Sequence, residues 1–443
     1  MPEINIKKVL QDHGVVGAGG AGFPSYAKLA SGADLLVINC AECEPLIYTD
    51  FVLMREKIDH IIDGVRAVMD NSEIEHTYLA IKEHRATMLG YRDGEELSPG
   101  VTVKFLPNVY PMGDEINLIY EATGRLVKPG SLPITSGVIE FNGETAYNIC
   151  NAVKYGKSVI RKWVTVAGDI EKKYVVNVPI GMRVSDLFAR LSISVPESHS
   201  VLDGGPSMGR ICDPSRAVVT KTTKSLLILP NNIPATAHKK VAIDDMLRRA
   251  SSACCGCYRC TDMCPRHTLG YPLEPHKMIR AALSGAVTEA PEIVKNATLC
   301  CSCGVCTEVC CQDISPKDVI LHLKGILAQN KLRFTPDENK EYAPMDERKY
   351  RMISSSRWED ILGVKKFDAV PEFINERLMS QRVEIPMSGH IGAPSVPTVS
   401  VGDIVNEYDP IAVAADGLSL PQYASIGGKV TFVSKDKIVI EAQ

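Results

Sequence analysis

The chain has 443 residues, 45% of them hydrophobic and 23% charged, enough apolar content for several cores and too much for global disorder. Lys plus Arg (49) nearly balances Asp plus Glu (53), so no basic face for bulk nucleic-acid binding is expected. No apolar run approaches a membrane span and the N-terminal residues lack a signal-peptide core, which reads as a cytoplasmic protein, at most peripherally associated with a membrane.

In chain order, residues 1–157 alternate strand-like and helical stretches. The segments 33–39, 76–83 and 101–107 are apolar and β-branched, whereas 51–69 places Val52, Ile58, Ile61, Ile62 and Val65 at helical spacing. Such alternation predicts an α/β fold. A glycine-rich loop at 14–24 precedes the first strong strand. Residues 158–240 read as a small mixed module of short strands, a helix around Val184–Leu191 and a turn at Asp203-Gly204-Gly205-Pro206. A cysteine-rich segment lies within 241–325, a charged and patchily helical linker spans 326–382, and 383–443 carries short strands between Gly, Pro and Asp turns, as expected of a small barrel or sandwich.

The 15 cysteines are an odd number in a chain without a secretion signal, which favours metal ligation over disulfides. Cys254, Cys257, Cys260 and Cys264 are spaced C-x2-C-x2-C-x3-C and precede Pro265; Cys300, Cys303, Cys306 and Cys310 repeat the spacing. This is the pattern of a two-cluster ferredoxin, in which each run gives three thiolates to one [4Fe–4S] cluster and its fourth to the other. One cluster would then use Cys254, Cys257, Cys260 and Cys310, the other Cys300, Cys303, Cys306 and Cys264. Zinc sites, built from two separated C-x2-C pairs, fit this spacing poorly. Adjacent Cys255, Cys301 and Cys311 leave open which thiol of each neighbouring pair binds. Cys40, Cys43, Cys150 and Cys212 are expected as small core residues, with Cys43 set apart by its acidic neighbours.

Gly17, Gly19 and Gly22 satisfy G-x-G-x-x-G, yet the residues before them look helical rather than strand-like, so a dinucleotide fingerprint is not established by the glycines alone. The wider pattern is more specific. Gly17 to Ser25 with Lys28, Asn39 to Pro45, Tyr110 to Glu115, and Asn142 to Thr145 occur in the same order as four blocks that they resemble in the NADH-binding flavoprotein subunit of respiratory complex I. The resemblance implies that Gly17, Gly19, Gly20, Gly22, Lys28, Asn39, Glu42 and Asn142 contact FMN, and that Phe23, Glu44 and Glu115 face NADH, with Glu44 and Glu115 as the catalytic candidates. Two positions depart from that pattern: Ala41 replaces an acid, and Leu132 replaces an adenine-stacking aromatic.

The whole order of parts is similar to the Rnf-C-like flavin/iron–sulfur electron-transfer proteins: a flavin domain, a β-grasp module carrying Asp203 to Gly209, two cluster motifs and a barrel-sandwich module. The Rnf-C proteins themselves carry the barrel sandwich first; placing it last resembles the cobalamin reductases of propanediol-utilisation microcompartments. The last module is also similar to lipoyl and biotinyl carriers, but Ala415-Asp416-Gly417-Leu418-Ser419 offers no carrier lysine, so packing or docking is expected of it. The resemblance implies an NADH-dependent oxidoreductase with FMN, two [4Fe–4S] clusters and NAD(H), passing electrons to a protein partner or complex, in the cytoplasm or inside a microcompartment. The competing expectation is a non-catalytic iron–sulfur relay whose flavin site has decayed.

Overall fold

The computed structural model describes residues 4–29, 32–284, 292–337 and 339–443. Helix α1 (Ile6–Asp12) starts at the Asn5 side chain, which accepts from the Lys8 amide, and buries Ile6 and Leu10. The short helix α2 (Ser25–Lys28) follows the glycine loop. The first sheet is built from β1 (Leu35–Asn39), β2 (His76–Lys82), β3 (Glu96–Ser98), β4 (Val101–Leu106) and, after the two-residue β5 (Val109–Tyr110), β6 (Val138–Asn142). Its order is β3-β4-β2-β1-β6, with β1, β2, β4 and β6 parallel. A central parallel strand must be apolar on both faces, and all five residues of β1 are buried.

The stretch 51–69, expected as one helix, is two: α3 (Thr49–Glu56) and α4 (Ile58–Met69), separated at Lys57, which lies outside the helical region at φ −137°. α4 lays Ile61, Val65 and Val68 on the sheet beside α7 (Gly143–Tyr155). Its Gly64 is required there, since an added Cβ would lie 1.9 Å from the Ala146 carbonyl oxygen. On the opposite face, Leu35 and Val37 share a core with α6 (Glu115–Thr123) and with Leu269, Met278, Leu323 and Leu327 of the cysteine-rich part. The cluster-bearing segment is therefore packed directly on the flavin-type sheet.

A second sheet of order β10-β9-β11-β7-β8-β13 contains β7 (Arg161–Gly168), β8 (Tyr174–Pro179), β9 (His199–Asp203), β10 (Arg210–Cys212) and β11 (Ser225–Pro230). Its edge strand β13 (Glu372–Arg377) comes from the segment expected as a linker and pairs in parallel with β8. The same segment supplies β12 (Ile353–Ser354), paired with β5, and a helix, Ser355–Leu362, whose Trp358 is fully buried and stacks on Tyr110 at 4.5 Å. It holds the parts together rather than merely connecting them. The last residues form a four-stranded and a three-stranded sheet around Val383, Ile385, Ile411, Val430 and Ile438. No helix among the described residues is long and apolar enough to cross a membrane.

Candidate functional site

A cavity of about 490 Å³ opens beside the ends of β1 and β6, the place where the strand order of an open parallel sheet admits ligands. Every flavin and nicotinamide candidate from the sequence lines it: Gly17, Gly19, Gly20, Gly22, Phe23, Lys28, Asn39, Glu42, Glu44, Glu115 and Asn142. The loop fits a flat, phosphorylated ligand in its backbone. A Cβ added at Gly19 would stand 2.5 Å from the Asn142 amide nitrogen, while Gly20 has open space around it. The Ala18 amide is anchored on the Thr145 hydroxyl (3.0 Å) at the start of α7, which fixes the loop over the cavity.

The polar floor is an ion network. Lys28 Nζ donates to Glu115 (3.0 Å), to the Glu140 carboxylate (3.0 Å) and to the Glu140 carbonyl (2.9 Å). Burial alone would lower the Lys28 pKa, but Glu140 and Glu115 outweigh it and hold the ammonium charged. Glu115 is pushed up from the ordinary carboxylate range, by burial first and by Glu140 second. Asn39 donates to Glu140 (3.0 Å) and to the Gly113 carbonyl (3.1 Å), and its side-chain oxygen accepts from the Ala41 amide. Its amide is thus tied into the floor.

The two acids of the Asn39–Pro45 segment do different things. Glu42 accepts from the Asp50 (2.5 Å) and Phe51 (3.0 Å) amides at the start of α3, and burial together with Asp50 raises its pKa to about 7. Glu44 accepts from the Ser207 and Met208 amides, each at 2.9 Å, and so clamps the Asp203–Gly209 turn of the second sheet against the cavity. Burial raises its pKa. Of the two catalytic candidates, only Glu115 keeps its carboxylate among the cavity's own charges.

Several lining residues were not singled out from the sequence: Glu140, Asp50, Met208, Lys224 and Ile391; Cys43, Cys301 and Cys303 were noted there, but not as part of this cavity. Glu140 had a signal, an acid inside the apolar strand Val138–Asn142. Lys224, just ahead of β11, pairs with Asp50 at 2.5 Å, a contact across 174 positions that no local pattern announces. Ile391 arrives from the barrel sandwich, where its amide donates to the Gly22 carbonyl at 3.0 Å.

The cysteine runs interleave. Cys264 lines one small pocket together with Cys300, Cys301, Cys303 and Cys306. Cys260 has Cys310, Cys257 and Cys254 as its thiol neighbours, and burial first, then those neighbours, push its pKa up to about 12. One group has five thiols and the other four, each drawn from both runs, and each offers the four that a cubane cluster takes. In the group with Cys264, Cys264, Cys303 and Cys306 are buried and Cys300 and Cys301 half-buried, and Cys301 and Cys303 reach the wall of the large cavity. In the other group Cys257 is exposed, 3.8 Å from the sulfur of exposed Cys311, with Cys255 beside them. Arg266, two residues after Cys264, grips Asp114 through two hydrogen bonds of 2.9 and 2.7 Å and fixes the cysteine-rich part against the cavity. Cys40 and Cys150 are core residues; Cys43 is part-buried on the cavity wall, and Cys212 is part-buried in the second sheet's core.

Three family models match successive parts of the chain. Residues 10–151 match the family described as the Nuo51 FMN-binding domain, 253–315 the 4Fe-4S dicluster domain, and 363–443 the RnfC barrel sandwich hybrid domain. The C subunit of the ion-translocating oxidoreductase complex of Rhodobacter capsulatus is 34% identical over 57% of this chain and 48% of its own length. Among solved structures, the NAD+-reducing [NiFe]-hydrogenase in the H2-reduced state is similar at a TM-score of 0.47 and 19% identity, over 75% of this chain and 63% of that one. The cobalamin reductase PduS of Salmonella typhimurium is 34% identical over 98% of this chain and 96% of its own, so the chain is an oxidoreductase with an FMN-binding and a 4Fe-4S dicluster domain and belongs to the family of that reductase.

Proposed function

We propose that this chain oxidises NADH in the large cavity and conducts the electrons through its two cysteine groups to a redox partner. FMN bound there supplies two-electron hydride chemistry and single-electron release, and the [4Fe–4S] clusters supply one-electron conduction. The observation that carries the reading is the single cavity whose wall includes both the glycine loop and Cys301 and Cys303.

In this reading Gly17, Gly19, Gly20 and Gly22 let the backbone approach FMN closely, and Asn142, Asn39, Glu42 and Lys28 hold it. Phe23 and Glu115 orient the nicotinamide, and Glu44 acts by positioning the Asp203–Gly209 turn rather than by touching the reacting atoms. Cys264, Cys300, Cys303 and Cys306 hold the inner cluster beside the cavity; Cys254, Cys257, Cys260 and Cys310 hold the outer one, whose exposed Cys257 marks the exit toward a protein partner. The division of labour is flavin domain 1–157, β-grasp 158–240, ferredoxin 241–325, connecting segment 326–382 and barrel sandwich 383–443. The name of the Salmonella relative, cobalamin reductase, supports a cobalamin as the final acceptor class. Fifteen cysteines, all unpaired, suit a reducing cytoplasm or a compartment within it.

Anaerobically purified protein is expected to hold about eight iron, about eight sulfide and one flavin. Glu115→Gln and Phe23→Ala should slow reduction by NADH while dithionite still reduces the clusters. Clusters without flavin would favour the relay instead, and stoichiometric zinc in place of iron would overturn both.

A further inference from the structure

The large cavity is lopsided in charge. Among the described residues six carboxylates line it, against two ammonium groups, those of Lys28 and Lys224. A flavin mononucleotide brings a phosphate into these surroundings, and carboxylates repel that group unless a cation and backbone amides answer its charge.

The two ammonium groups differ in what they can still offer. Each has three N–H donors. Lys28 uses all three, on Glu115, on the Glu140 carboxylate and on the Glu140 carbonyl. Lys224 has a single acceptor among the described residues, Asp50 Oδ2 at 2.5 Å, which leaves two donors of a wall residue without a protein partner. Its side chain is only 12% exposed, so it is not a surface lysine bathed in bulk water. Burial alone would lower its pKa, but Asp50, then Glu42 and Glu144, outweigh burial and hold the ammonium charged.

Its position is fixed on both sides. The Lys224 carbonyl accepts from the Thr49 hydroxyl (3.2 Å) and the Thr165 amide (3.1 Å), which pins the backbone just ahead of β11. Asp50 accepts through Oδ1 from the Glu144 amide (3.2 Å), in the first turn of the 13-residue α7. A Cβ on Gly143 would lie 3.2 Å from that same Asp50 oxygen, and a Cβ on Gly19 would lie 2.5 Å from the Asn142 amide nitrogen. Asn142, Gly143 and Asp50 therefore link the glycine loop, the start of α7 and Lys224 in one run of contacts. A glycine loop beside the start of a helix is a backbone setting that receives phosphate, and here a charged lysine with free donors stands next to it.

We propose that Lys224 is the phosphate anchor of the flavin site, its ammonium contacting the phosphate of FMN beside the glycine loop and the start of α7. The assignment rests on the flavin reading of this cavity. It adds a residue from outside the stretch 10–151 that matches the FMN-binding family, and so ties FMN retention to the docking of the second sheet on the flavin domain.

The test is fluorescence titration of the deflavinated full chain with FMN and, separately, with riboflavin, which lacks the phosphate. Asp50→Asn frees the ammonium from its competing carboxylate while the amide oxygen still accepts from Glu144, so FMN affinity should be kept or increased. Lys224→Met/Asp50→Asn, which leaves no unpaired carboxylate behind, should weaken FMN binding at least about tenfold, the loss of one charge-assisted contact, and leave riboflavin within about threefold. Should the double variant fail to fold, the unchanged protein decides: FMN should bind at least about tenfold more tightly than riboflavin, and equal binding overturns the anchor. Equal loss of both flavins in the double variant, or an Asp50→Asn variant that loses FMN as the double variant does, would mean a purely structural ion pair and overturns the proposal while the flavin site stands. Binding of neither flavin to the unchanged protein overturns the flavin reading of the cavity together with it.

Discussion

Replacing Lys28 by Met removes the one ammonium that bridges Glu115 and Glu140, each 3.0 Å away. The Glu140 side chain is 5% exposed and that of Glu115 36%, so the variant leaves two carboxylates facing each other, only one of them reached by much water. Breaking a fully buried ion pair costs about 3–5 kcal/mol, an upper bound here because water screens Glu115. A proton shared by the pair offers a cheaper escape: neutralising one glutamate of ordinary pKa near 4.3 costs about 1.36 kcal/mol per pH unit, roughly 3.7 kcal/mol at pH 7 and about 1.6 at pH 5.5. The sign follows from the raised acid pKa of the variant's folded state. Its stability is intact below about pH 4.3 and is lost as pH rises. Hydrogen exchange of the β1 and β6 amides, corrected for intrinsic rates at the two pH values, reads the loss locally, which suits a chain of several cores. Lys28→Met/Glu140→Gln should recover most of it, since the amide still accepts from Asn39. A penalty equal at both pH values, or a double variant as weak as the single one, would refute the reasoning.

Two further outcomes are expected. Gly19→Ala drives a methyl to 2.5 Å from the Asn142 amide and should weaken FMN binding at least about tenfold, measured by flavin fluorescence titration of deflavinated protein; unchanged affinity would remove this loop from the flavin site. Cys264→Ala, made also with Cys255, Cys301 and Cys311 replaced, should perturb the paramagnetic resonance signal of the inner cluster, and Cys254→Ala that of the outer one. Damage to the same signal by both would mean that each run builds its own cluster.

The parts of the fold legible in the sequence were those with one dominant period. β1, β2 and β4 lie within the runs at 33–39, 76–83 and 101–107: β1, buried at all five positions, is apolar throughout, whereas β4 starts by alternating buried Val101 and Val103 with half-buried Thr102 and Lys104. The interleaving of the cysteine runs was readable too, as cluster spacing is set by the ligand rather than by the fold. Residues 326–382 were not legible as architecture: β13 reads Glu-Phe-Ile-Asn-Glu-Arg, an edge strand without clean alternation, and Trp358 finds its partner Tyr110 across 248 positions. The site shows the same division. Gly19, Lys28 and Asn39 stand in recognisable blocks, whereas Lys224, Met208 and Ile391 reach the cavity only because other parts of the chain close over it. Glu44 illustrates the limit, since its partners Ser207 and Met208 are invisible from its own neighbourhood.

The barrel sandwich, last in the chain, rests on the chain's beginning. Ile391 bonds to Gly22, the Tyr423 hydroxyl donates to the Asp12 carbonyl at the end of α1, and Ser425 reaches back to Ile180. A module that touches residues 12–22 in space can be joined to the polypeptide ahead of them through a linker long enough to span the gap, with those contacts kept. Placement of this domain at either terminus is then a circular permutation of one assembly, two ways of cutting the same ring. A permutant in which 383–443 precede residue 4 through a flexible linker keeps the Ile391–Gly22 contact, and with it the wall that the last-made domain builds for the first-made site.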